Sequence, residues 1–151
     1  MNELISRWND NECPMLNGVM LTNGMYYPVK PVDAPRKPLP MHLTYGECRM
    51  LPEISALGWA SLIQTCEVKI SGGNLKVIAG EGSMGADGFV ALSAEDQSLR
   101  WVAFFDFSNP FERLYFDDAN VIIAENNLGE AWRLSVSCPW EIIVTTAAPR
   151  I

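Results

Sequence analysis

The chain has 151 residues, 48% hydrophobic and 19% charged, which supplies one hydrophobic core in a single domain spanning residues 1–151 and excludes a disordered tail. Its formal charge is −7 at neutral pH. No apolar run approaches the roughly 20 residues of a membrane helix, and Met1-Asn2-Glu3-Leu4-Ile5-Ser6-Arg7 lacks the basic start and apolar stretch of a signal peptide, so a cytoplasmic protein is expected.

Within residues 2–9, Leu4, Ile5 and Trp8 have helical spacing, which predicts a short amphipathic helix or turn, with a strand or arm as the alternative. Asn23-Gly24 then separates two strand-like runs, Val19-Met20-Leu21 and Met25-Tyr26-Tyr27. This predicts a hairpin with a type I′ turn, whose two positive φ angles asparagine and glycine accommodate. Prolines 28, 31, 35, 38 and 40 predict an extended strap and exclude a helix or a central strand over residues 28–40, because proline lacks the backbone donor. Pro35-Arg36-Lys37-Pro38 matches a PxxP ligand formally, but a surface strap explains it better and the motif is set aside. Residues 52–64 are a second helix candidate, with proline at a first-turn position and Ile54, Leu57 and Leu62 on one face; Gly58 opposes it. Residues 1–64 therefore hold a hairpin, the strap and a candidate helix.

From Thr65 the period changes to two. Cys66, Val68 and Ile70 alternate with Glu67, Lys69 and Ser71, and Gly72-Gly73 reverses the chain into Leu75 to Ala79. Further strands are expected over 88–93, 99–105, 111–116, 120–125, 131–136 and 140–145, separated by turns such as Ala94-Glu95-Asp96-Gln97, Ser108-Asn109-Pro110 and Asn126-Asn127-Leu128-Gly129. The expected fold is mainly β: an antiparallel meander over residues 65–146 forming a sandwich, barrel or strongly twisted sheet, with one or two short helices.

Chemistry-bearing motifs are sparse. Gly80-Glu81-Gly82-Ser83-Met84-Gly85 satisfies GxGxxG, but a strand pattern follows it where a dinucleotide site needs a helix, and Glu81 and Asp87 would repel a phosphate. His42 is the single histidine and no serine or cysteine has a nucleophile setting. Cys13, Cys48, Cys66 and Cys138 form no CxxC pair and read as reduced thiols. Asp106, Glu112, Asp117, Asp118 and Glu125 lie largely at strand ends and turns and lack EF-hand spacing. The sequence thus assigns no catalytic residue, no cofactor and no metal site, and points to a binding protein.

Charge supplies the direction. Residues 1–80 contain seven acids and seven bases, whereas residues 81–141 contain eleven acids against Arg100, Arg113 and Arg133, a net of −8. A negative field of this kind repels nucleic acid and anionic membranes and speeds encounter with a basic protein. Loops and strand ends can display carboxylates together, so Glu95, Asp96, Glu112, Asp117 and Asp118 are the expected partner-binding residues.

The run from Gly82-Ser83-Met84-Gly85 to Leu92, then Leu99-Arg100-Trp101-Val102-Ala103-Phe104-Phe105, Ser108-Asn109-Pro110-Phe111 and Asn126-Asn127-Leu128-Gly129, resembles small proteins of bacterial polymorphic-toxin loci, many of them immunity proteins. The likeness covers roughly the carboxy-terminal half, through turn and core residues. It implies a protein that neutralises a cognate toxin by binding it. Alternatives are a small-ligand-binding β domain, suggested by the abundant aromatics, and a structural or assembly subunit that forms homo-oligomers.

Overall fold

A computed structural model describes residues 3–32, 41–53, 56–70, 72–118 and 120–148. In chain order it contains α1 (Glu3–Asn9), β1 (Glu12–Pro14), β2 (Gly18–Leu21), β3 (Met25–Pro31), β4 (Leu43–Tyr45), β5 (Arg49–Met50), β6 (Trp59–Ser61) and β7 (Ile63–Lys69). Then follow β8 (Leu75–Glu81), β9 (Gly88–Ala94), β10 (Leu99–Phe105), β11 (Phe111–Asp118), β12 (Val121–Asn126), β13 (Glu130–Ser135) and β14 (Ile142–Thr146). The expectation of an antiparallel, mainly β fold with a short helix holds. The strands form an open sandwich, not a closed barrel.

One sheet has eight strands in the order β4-β3-β2-β10-β9-β8-β7, with β5 also pairing β3. The second has four, β11-β12-β13-β14, and packs across the first with Val19, Val77, Val90, Leu92, Trp101, Ala103 and Phe105 facing Phe111, Ile122, Ala124, Trp132, Leu134 and Val144. Trp132 is fully buried, its ring centroid 4.9 Å from that of Phe105 and 5.4 Å from that of Phe111, so large aromatics fill the space between the sheets. The opposite face of the large sheet carries a second core of Met20, Ile78, Phe89, Ala91, Val102 and Phe104, covered by Leu4 of α1 and by Cys13 and Ala60 of the β1–β6 pair. Consequently β9 is buried along its whole length, and alternate residues of β9 and β10 feed alternate cores.

Three sequence expectations are corrected. The Asn23-Gly24 hairpin exists, but Met20 pairs with Tyr26, and the three residues Thr22, Asn23 and Gly24 lie between the strands. Gly24 takes the left-handed conformation (φ 87°), and the Asn23 side chain accepts the Met25 N–H at 3.0 Å. This is a three-residue loop with a terminal glycine, not a type I′ turn.

The first part of the expected strap is strand. Pro28 and Pro31 belong to β3, which has neighbours on both sides. β5 pairs with Met25 and Tyr26, and β4 with Val29 to Pro31. Pro28 thus falls in the gap between two short partner strands, where a missing donor is tolerated. Prolines 35, 38 and 40 lie outside the described residues.

Residues 52–64 do not form the expected helix: Trp59–Ser61 is strand β6, paired with β1, and Ile63 opens β7. Ile54 lies outside the described residues. Leu57 and Leu62 are both half-buried, and their helical spacing is coincidental.

Candidate functional site

In an antiparallel meander every second turn lies at the same end. Glu81 and Phe105 both pair with Gly88, and Phe111 pairs with Asn126, so the connections 82–87, 106–110 and 127–129 meet at one pole. Backbone and carboxamide bonds staple them together. The Asn109 N–H donates to Ala86 O at 2.8 Å, and the Asn109 side chain donates to Asn127 Oδ1 at 3.0 Å. The Asn127 N–H donates to Pro110 O at 3.2 Å, and Asn126 Nδ2 to Ser108 O at 2.7 Å. Ser108 and Asn126 are buried, so the bond between them is shielded from water.

Asn126 organises the tightest of the three connections. Its Oδ1 accepts the N–H groups of Leu128 and Glu130 at 3.0 and 2.9 Å, while its Nδ2 also donates to Glu130 Oε1 at 2.7 Å. The same Oε1 accepts the Trp132 indole N–H at 3.2 Å. A buried carboxylate is thereby tied both to the loop and to the largest side chain of the core.

The segments that build this pole, residues 81–88, 105–113 and 125–130, contain six acids, Glu81, Asp87, Asp106, Glu112, Glu125 and Glu130, against one base, Arg113. Asp87, Glu125 and Glu130 are buried and used internally. Glu125 accepts the Tyr115 hydroxyl at 2.7 Å and lies 3.5 Å from the Arg113 guanidinium, which also stacks over the Tyr115 ring. This bond and burial push the Tyr115 phenol above its ordinary pKa. Asp106 and Glu112 are exposed and Glu81 is half-buried, so these three present charge outward. Glu112 is close enough to Cys66 to add to the upward push that burial gives that thiol. Between the carboxylates, Met84 (70% exposed) and Leu128 (40%) stand at the tips of two connections.

The GxGxxG motif runs into this pole: Gly80 and Gly82 are required by close packing, whereas Gly85 has open space around it and takes positive φ (87°). A Cβ at Gly82 would strike the Asp87 carboxylate, and one at Gly88 the Asn109 carbonyl and Ser108 hydroxyl. The Met84 N–H, a donor that a phosphate would need, points at Asp87 Oδ1 at 3.2 Å. The loop carries its own anion.

The five carboxylates expected at the partner surface are not brought together. Glu112 lies at this pole, whereas Glu95, Asp96, Asp117 and Asp118 lie at the opposite one, where the Trp101 indole N–H donates to Val136 O at 3.1 Å and ties the two sheets. There each has a local partner, as Asp106 has in the Asn17 carboxamide at 3.1 Å. Glu95 is 3.9 Å from Lys69, and Asp117 is 2.6 Å from Arg133. Asp96 accepts the Ser98 hydroxyl and N–H at 2.7 and 3.0 Å, which holds its carboxyl below the ordinary pKa. Asp118 accepts the Asn120 N–H at 2.9 Å. Glu81, Asp106, Met84 and Leu128 gather with Glu112 because their connections alternate along the meander.

Among the described residues no three metal-binding side chains cluster, and no helix is long and apolar enough to cross a membrane. Comparison with known proteins gives no matching family model, no similar curated protein and no similar solved structure.

Proposed function

We propose that the chain is an acidic protein-binding domain that covers a basic surface of a protein partner with the pole formed by residues 81–88, 105–113 and 125–130. The observation that carries this reading is the ratio of six acids to one base on three connections joined to one another by hydrogen bonds, the one between Asn126 and Ser108 buried. Three of the six are buried, and Glu81, Asp106 and Glu112 lie nearer solvent, Asp106 held by the Asn17 side chain at 3.1 Å, on a scaffold that loses little freedom on binding. Such a field accelerates encounter, and Met84 and Leu128 supply apolar contact between the charges. With the likeness of the carboxy-terminal half to immunity proteins, the partner proposed is a cognate bacterial toxin, neutralised in the cytoplasm by being covered.

The test is binding to the product of the adjacent upstream gene, followed by titration calorimetry and stopped-flow association. The expected outcome is a complex whose association rate falls steeply with salt and drops about tenfold or more in the triple variant Glu81→Lys, Asp106→Lys, Glu112→Lys. A gene product that is neither toxic nor bound ends the toxin reading. A complex indifferent to both salt and charge reversal ends the assignment to this pole.

A further inference from the structure

A second concavity lies on the other side of the large sheet, independent of the acidic pole. It is a cleft of about 170 Å³ lined by Trp8, Asn9, Asn11, Leu62, Gln64, Ile78, Phe89 and Gln97. In a chain of charge −7 this lining holds no ionisable side chain. It combines four carboxamides, one indole and an apolar floor. Each carboxamide offers both a donor and an acceptor, the pairing that a hydroxyl, itself donor and acceptor, satisfies best.

The Trp8 indole is fixed by an edge-on contact with Phe89, at 6.2 Å between centroids and 76° between planes. Gln64 and Gln97 are exposed; Gln64 donates to Glu67 at 3.0 Å and Gln97 to the Glu95 carbonyl at 3.4 Å, which leaves an acceptor oxygen on each. Among the described residues, three that are not glycine adopt positive φ: Asn11 (61°), Gln97 (74°) and Asn109 (61°). Two of the three line this cleft. Asn11 follows the end of α1 and Gln97 lies in the β9–β10 turn, so the local backbone of both is fixed by a cap and a turn.

We infer that this cleft binds a neutral pyranose sugar, with the ring's C–H face against the Trp8 indole and its hydroxyls on Asn9, Asn11, Gln64 and Gln97. The volume, below the roughly 300 Å³ at which drug-sized sites begin, suits one hydroxylated ring rather than an extended chain. The absence of charge in the lining disfavours phosphorylated or carboxylated sugars, which would lack a counter-charge there.

The test is ¹H–¹⁵N correlation NMR of the full chain titrated with glucose, galactose, mannose and N-acetylglucosamine, reading the five indole N–H signals. The expected result is a saturable shift of the Trp8 indole by at least one of the four, with a dissociation constant on the order of 1 mM that rises about tenfold in Asn9→Ala. Gln64→Ala serves as the second variant if Asn9→Ala disturbs the helix end. No shift with any of the four sugars overturns the proposal. So does a shift that both variants retain at wild-type affinity, or one centred on tryptophans other than Trp8.

Discussion

Asn126 and Glu130 are joined twice: the Asn126 carboxamide donates to Glu130 Oε1 at 2.7 Å and accepts the Glu130 backbone N–H at 2.9 Å. Both residues are buried, so the geometry of the β12–β13 connection is set by a side-chain network that water does not reach.

Replacing Asn126 by alanine removes four hydrogen bonds and leaves the Ser108 carbonyl and two N–H groups without it. We expect a loss of about 3 kcal/mol and a fall in melting midpoint of about 10 °C. Asn126→Asp is expected to be worse despite its similar shape, since it sets a second carboxylate against Glu130 and removes the donor. Calorimetric melting of both variants checks the order; equal stability of wild type and Asn126→Ala would refute the network's role.

Glycines on the β7–β8 hairpin separate steric from conformational cost. A Cβ at Gly80 would collide with the Ile63 carbonyl and the Thr65 N–H, backbone atoms at the bulge between Gln64 and Cys66. Gly72 has positive φ (78°) but open space around it. Gly80→Ala should therefore cost about 3 kcal/mol and Gly72→Ala about 1 kcal/mol, read as urea midpoints at unchanged slope.

Tyr115 predicts the alkaline limb of stability. Its bond to the Glu125 carboxylate, then burial, then the Glu125 charge raise its pKa in the folded state. Below the unfolded value of about 10 both states hold the proton and the contribution is fully present. As pH rises beyond that, the unfolded chain loses the proton first, so stability falls until the folded phenol also ionises. Tyr115→Phe should be less stable at neutral pH and lose stability less steeply above about pH 10; denaturant titrations across that range give the comparison.

Much of the fold is legible in the residues, and the failures have physical causes. Alternation announces β7, and turn chemistry at Gly72-Gly73 and Asn127-Leu128-Gly129 separates the later strands at nearly their true ends. The helix expected over residues 52–64 fails because β6 is defined by β1, more than 40 positions earlier, and no local signal carries a pairing of that span. The five carboxylates that the charge argument singles out are divided between the two poles because proximity in sequence differs from proximity in a sheet. Glu112 and Asp117 share one strand yet lie about 17 Å apart along it, while Asp106 and Glu81 belong to different hairpins and the same pole. Counting alternate turns of the meander would have grouped them.

The β9–β10 hairpin has no side that faces water over most of its length, since one flank meets the small sheet and the other meets α1 and the β1–β6 pair. It acts as a party wall. Neither compartment can come apart without exposing masonry that the other also leans on, so indole probes at Trp132 on one side and Trp8 on the other should report a single shared collapse on heating.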